Sequence, residues 1–173
     1  MSHVTKLEVK LLVIVCLFAA ATSLQAGDSG VEEKIKAIRA KYAQIEKGLK
    51  TCRQVKRDLP GESAEGGELT AWFKDRSVTK LSATFFGEMG KADEEYYFWD
   101  SELIFVLRVE SHYTEPMSGV VKNKTEERFY FNDEKLIRWL NSDKKEAANN
   151  PSKAEREREL LAAAKKYSAL AAQ

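Results

Sequence analysis

Apolar and polar side chains alternate in three stretches of the chain, each folded about a short acidic turn. Glu68–Leu81, Glu94–Leu107 and Glu127–Leu140 can be laid over one another with Phe73, Phe98 and Phe131 in register. Asp75, Asp100 and Asp133 then also align, two residues on in each copy. Period-two alternation is the mark of a β-strand, and an Asp in the turn can bond the backbone ahead of it. The pattern predicts six strands, at about Glu68–Lys74, Ser77–Phe86, Asp93–Trp99, Glu102–Tyr113, Thr125–Phe131 and Lys135–Asn141. Paired in sequence, they form an antiparallel meander of three hairpins. No turn has the Asn-Gly or Asp-Gly pair of the tightest hairpins, so longer turns or bulges are expected. On the fourth strand Leu103, Phe105, Leu107 and Val109 share one face by alternation, and Ile104 and Val106 share the other. Leu136, Arg138 and Leu140 likewise oppose Ile137 and Trp139, and Tyr96 and Phe98 oppose Tyr97 and Trp99. Both faces are therefore apolar at the centre, and a cover over each is expected.

The flanking segments have helical periodicity. Ser29 and Glu32 have the spacing of a capping box. Val31, Ile35, Ile38, Tyr42, Ile45, Leu49 and Cys52 follow at alternating steps of four and three, which predicts a helix over 27–59. A stripe this narrow suits a coiled-coil seam, so self-association through Val31, Ile35, Ile38, Tyr42, Ile45 and Leu49 is one reading. The helix is short for an independent coiled coil, which favours packing on the chain's own sheet or on its second helix. Pro60, Gly61, Gly66 and Gly67 make 60–67 a linker, and 142–151 is a second, polar one. Ser152 with Glu155 then opens a C-terminal helix over 152–173 with a thin apolar face at Leu160, Leu161, Ala164, Tyr167, Leu170 and Ala171. The predicted fold is α+β, a six-stranded antiparallel meander flanked by an N-terminal and a C-terminal helix. An aromatic before the turn and an aliphatic after it resembles the hairpin repeat of MORN-type proteins. Here the aligned phenylalanines stand 25 and 33 residues apart and the turn glycines are missing. The resemblance carries no functional residue.

The N-terminus changes the picture from fold to destination. Lys6 and Lys10 lead into an apolar run from Leu11 to Ala21, then Thr22-Ser23-Leu24-Gln25-Ala26. That is the order of a cleavable signal peptide over 1–26. The run is shorter than the roughly 20 apolar residues a spanning helix needs, so no membrane span is expected after cleavage. Val15 before Cys16 is not small, which argues against a lipid-modified cysteine. The chain is expected to be exported, periplasmic or secreted. Lys+Arg number 28 and Asp+Glu 27; without Lys6, Lys10 and Glu8, 26 of each sign remain. A neutral body has no broad field to attract nucleic acid. Cleavage also leaves one cysteine, Cys52, so no intramolecular disulfide can form; the thiol is either buried or paired between chains, and its place on the helical stripe favours a shielded one.

Little in the chain suggests chemistry. Gly87-x-x-Gly90-Lys91 lacks the spacing and the hydroxyl residue of a phosphate loop. His112 is the single histidine after cleavage, and with Glu110 and Glu115 it falls short of a zinc set. A Cys52–His112 pair would need an exposed thiol, and no serine sits in a nucleophile elbow. Trp72, Tyr97, Trp99, Tyr130 and Trp139 can be read as a binding ladder, or more simply as cross-strand packing. Asn123-Lys124-Thr125 is a glycosylation sequon in a eukaryotic setting. No catalytic, metal or cofactor-binding residue is assigned. The residues best placed for contact lie on two loops, Gly87, Glu88, Met89, Gly90 and Lys91 on one and Pro116, Met117 and Lys122 on the other. The expected function is an exported, non-enzymatic binding or envelope-associated module whose partner is a protein or another envelope component. An exported hydrolase inhibitor is the second reading and a carboxylate-dependent hydrolase the third. N-terminal sequencing of the chain after export from its native host should begin at Gly27; retention of residues 1–26 would contradict the leader.

Overall fold

The computed structural model describes residues 29–147 and 152–173. The expected signal peptide lies outside the described residues. The described residues divide into two units at Ala37/Ile38, the second being Ile38–Gln173. A helix over residues 29–48 (α1) belongs to the first unit up to Ala37 and to the second from Ile38 onward. The second unit holds one seven-stranded sheet, with strands in sequence order and every neighbouring pair antiparallel. The strands are β1 (Arg53–Asp58), β2 (Gly67–Lys74), β3 (Ser77–Gly87), β4 (Gly90–Trp99), β5 (Glu102–Tyr113), β6 (Val121–Asn132) and β7 (Lys135–Leu140). A second helix, α2 (Ser152–Ala171), follows. The fold is α+β, an antiparallel meander with an N-terminal and a C-terminal helix.

The seventh strand comes from residues expected to be helical. The helix stops at 48 rather than 59, passes through a single 3₁₀ turn at Leu49–Thr51, and Cys52 turns extended at φ −81°, ψ 144°. Gly48 weakens the helix where it ends, and the Thr51 hydroxyl caps the Gly48 carbonyl at 2.8 Å. Arg53–Asp58 then pairs along its whole length with β2. Leu49 and Cys52 continue the helical spacing by coincidence. Pairing with a strand that follows them in sequence outweighs the local pattern, and Val55 packs against the core. Arg53, Lys56 and Arg57 place charge on this edge strand, which discourages pairing with another sheet. Two other strands start earlier than expected, β4 at Gly90 and β6 at Val121, so both intervening loops shorten.

The aligned hairpins share one geometry. Their turns have only two residues, with positive φ at Asp100 (51°) and Ser101 (68°), and at Asp133 (51°) and Glu134 (57°). In the first hairpin the positive φ falls on Asp75 (57°). The register of each shifts at the same place, between Trp72 and Phe73, Tyr97 and Phe98, and Tyr130 and Phe131. Thr79, Ile104 and Ile137 are the extra residues on the returning strands, as in a β-bulge. The bulge corrects two expectations. Leu103 pairs with Phe98 while Phe105 pairs with Tyr97, so the two leucine and phenylalanine side chains part company. Leu136 pairs with Phe131 while Arg138 pairs with Tyr130. Simple alternation fails because each bulge reverses the facing of everything on its turn side.

The two faces are covered differently. Tyr97, Phe105 and Tyr130 lie side by side on β4, β5 and β6. Tyr42 of α1 meets Tyr97 and Phe105 edge-on at 4.8 and 5.5 Å, and Ile38 and Ile45 beside it are buried. From Ile38 to Ile45 the stripe is thus occupied by the chain's own sheet, the intramolecular alternative to a seam. The larger core lies on the other face, where Leu69, Leu81, Tyr96, Phe98, Val106, Phe129 and Phe131 join Leu160, Ala164, Tyr167 and Ala171 of α2. Tyr167 packs edge-on against Tyr96 at 5.9 Å, and the Leu136 amide donates to Glu157 at 2.7 Å.

Both tyrosines of the Glu94-Glu95-Tyr96-Tyr97 run reach back to an acid. The Tyr96 hydroxyl donates to Glu94 at 2.5 Å, and Arg108 stands 3.7 Å from that carboxylate. On the α1 face the Tyr97 hydroxyl lies 2.6 Å from Glu95 and 2.8 Å from Glu46. Buried Lys80 bridges the same two acids at 2.8 and 2.9 Å. Partial burial alone would raise the Glu46 carboxyl, but the bonds from Lys80 and Tyr97 outweigh it and hold it below its ordinary range. Burial first, and the neighbouring carboxylates second, push the Tyr96 and Tyr97 phenols far above the ordinary value of about 10. Tyr167 is pushed up to about 12, chiefly by burial. Above about pH 10 all three phenols ionise in the unfolded chain; in the folded one Tyr96 and Tyr97 stay protonated, and Tyr167 does so only up to about pH 12. Their contribution is therefore complete below pH 10 and falls by about 1.4 kcal/mol per pH unit for each above it. Denaturant midpoints should drop steeply between pH 10 and 11, and phenolate absorbance from these residues should rise only with unfolding. Tyr97→Phe should flatten the drop; an unchanged slope would contradict the assignment.

Candidate functional site

The end of the sheet away from the aspartate turns carries the features of a contact surface. β3 and β4 turn there through Glu88 and Met89, with Gly87 and Gly90 directly paired. β5 and β6 are joined there by residues 114–120. That loop closes on itself through the Thr114 amide to the Val120 carbonyl at 2.9 Å, with Met117 at φ 55° and Gly119 at φ 67°. The loops are also tied to each other. The Tyr113 amide donates to the Met89 carbonyl at 2.8 Å, and the Met117 amide donates to the Glu88 carbonyl at 2.8 Å. Sequence places Met89 and Met117 far apart; these two bonds make them neighbours.

Gly90 permits this arrangement. A Cβ there would fall inside contact distance of the Ser111 carbonyl oxygen, because β5 crosses close beside it. Among the described residues, the exposed large hydrophobic side chains are Met89, Met117, Val120 and Val121, and all four stand at this end. Met117 is 68% exposed and Val120 60%. Apolar side chains gathered at one tip, with charged neighbours, are the usual mark of an interaction site. Around them lie Glu88 and Glu115, and Lys122 and Lys124 on the outer stretch of β6, all exposed. Lys91 is instead held by Asp93 at 2.9 Å. Behind the β3–β4 turn a depression of about 370 Å³ runs past Phe85, Ala92, Glu110 and His112.

Of the residues marked by the sequence, Glu88, Met89, Gly87 and Gly90 form the first loop, with Lys91 already inside β4. Pro116 and Met117 sit on the second, and Lys122 lies within β6, opposite the register shift between His112 and Tyr113. The structure brings the two loops into one surface. It adds Val120 and Val121, which sequence reasoning passed over; two adjacent valines between Gly119 and Lys122 in an otherwise polar loop were the available clue.

The reactive side chains are scattered. His112 is exposed beside Gly90, and Glu110 near it is engaged by Arg108 at 2.5 Å. Cys52 belongs to the opposite end of the sheet, where it lines a depression of about 420 Å³ with Asp75 and Asp100. The length of β5 separates the two ends by roughly 35–40 Å. Cys52 is half-buried rather than shielded in a helix interface, because the helix ends before it; its sulfur lies 3.6 Å from the Gly48 carbonyl. The aromatic ladder is divided between the faces, with Tyr97 and Tyr130 towards α1 and Trp139 against Phe129 at 5.4 Å on the other. Among the described residues no group of three or more His, Cys, Asp or Glu is placed to hold a metal ion, and no helix is long and apolar enough to cross a membrane. Comparison with protein-family models, curated proteins and solved structures found no match.

Gly90→Ala should push β4 and β5 apart and break the bond from Tyr113 to Met89, at a cost of about 1–3 kcal/mol. Limited proteolysis should then cut within 113–121 faster than in the parent protein; equal stability and equal protection would refute the close-approach role of Gly90.

Proposed function

We propose that this protein is an exported, non-enzymatic binding module that engages a protein partner of the cell envelope through its tied loop pair. The observation that carries this reading is the gathering of Met89, Met117, Val120 and Val121, solvent-exposed, on two loops bonded to each other. A rigid sheet with buried faces holds these loops in place, so little ordering is needed on binding. Methionine side chains adapt to irregular partner surfaces. Glu88, Glu115, Lys122 and Lys124 around them supply a polar rim that can set orientation. The leader predicted over residues 1–26 supports an exported location, where such a module would meet envelope proteins.

The test is crosslinking and co-purification of the mature chain from its native envelope fraction, beside a Met89→Glu, Met117→Glu, Val120→Glu variant. All three side chains are exposed, so the variant should keep the parent's circular dichroism and melting temperature. The expected result is a specific partner recovered by the parent and lost, by tenfold or more, by the variant. Equal recovery by both would move the contact surface elsewhere on the sheet.

A further inference from the structure

The α1 side of the sheet holds a cavity of about 300 Å³ that the loop-end reading does not use. It arises where α1 covers one cross-strand row and leaves the next open. Ile38 and Tyr42 close over Phe105 and Tyr130, with Tyr42 5.5 Å from Phe105. The following pair on β5 and β6 is Leu107 with Arg128. Leu107 is mid-strand and aliphatic, yet only half-buried, and it lines the cavity. The walls are thus aromatic and aliphatic, and the volume sits at the lower end of ordinary small-molecule sites.

Two guanidiniums and one carboxylate line the same cavity. Arg128 is bound to Glu126. Arg39 stands 5.7 Å over the Tyr130 ring and, among the described residues, has no carboxylate partner. One positive charge is left over, beside apolar walls. A guanidinium held over an aromatic face without a carboxylate partner keeps N–H donors available for bidentate contact with a carboxylate. We infer that this cavity binds a small monocarboxylate with an apolar body, the carboxylate on Arg39 and the body against Tyr42, Phe105 and Leu107. The single leftover charge selects a monoanion over a dianion, and the volume excludes long acyl chains.

The probes are octanoate and 3-phenylpropionate, titrated into the mature protein by calorimetry and by ligand-observed NMR. Both should bind saturably, with Kd of about 1 mM or tighter, and compete with each other. Octanol and 3-phenylpropanol should bind at least about tenfold more weakly, and Arg39→Gln should weaken both acids by a similar factor. Leu107→Trp should fill the cavity and abolish binding. Should Leu107→Trp disturb folding, Arg39→Gln still decides, since the Arg39 side chain is exposed. No saturable binding up to about 10 mM, or acids bound equally well by Arg39→Gln, or alcohols bound as well as acids, would each overturn the inference.

Discussion

Burial of a single sheet on both faces is the constraint from which the rest follows. Tyr96 and Tyr97 are adjacent on β4, point to opposite sides, and are both fully buried. Each needs an acceptor for its hydroxyl, since an unpaired buried phenol is costly. Glu94 and Glu95, two residues earlier and therefore on matching faces, provide it. Those carboxylates in turn require cations, and Arg108 on one side and Lys80 on the other supply them. Four consecutive residues thus mark the border between the dry centre of the sheet and its wet end.

Beyond that border the strands change character. Thr84, Lys91, Asp93, Glu110, Lys122 and Lys124 replace the aromatic rows, and exposure rises along β6 until Val121–Thr125 is entirely exposed. The loops at that end are held by backbone bonds and by the close approach at Gly90 rather than by a core. Apolar side chains that the fold does not use are therefore left at the surface there, the physical basis for reading that end as the contact surface. At the opposite end the aspartate turns are compact and the aromatics just inside them are packed. The same sheet is closed at one end and offers its loops at the other.

Legibility in the sequence followed the range of the interactions. The three hairpins could be read because alternation and turn chemistry act over a few residues. The C-terminal helix could be read because alanine-rich composition favours helix wherever it packs. The β1 strand could not, since Arg53–Asp58 contains one apolar residue, Val55, and becomes a strand only by pairing with β2. The bulges at Thr79, Ile104 and Ile137 were equally hidden: an extra residue in one strand is defined by its partner's register. For the candidate site, sequence placed Met89 and Met117 on loops, because Gly, Pro and polar residues surround them. Their meeting depends on two backbone bonds between loops of different hairpins.

The sequence by itself determined the fold class, the three hairpins and their acidic turns, the helical character of 29–48 and the helix after Ser152, and the two loops that bear exposed side chains. Each rests on side-chain periodicity or on local backbone preference, which a chain carries wherever it folds. Only the tertiary structure decided that Leu103 and Phe105 serve different faces, that the helix ends at 48, that Lys80 is buried between two carboxylates, and that one row of β5 and β6 stays open beside Arg39. These depend on which strand lies next to which and on where α1 stops covering the sheet. Such relations are set by closing the whole meander at once, and no local stretch of sequence encodes them.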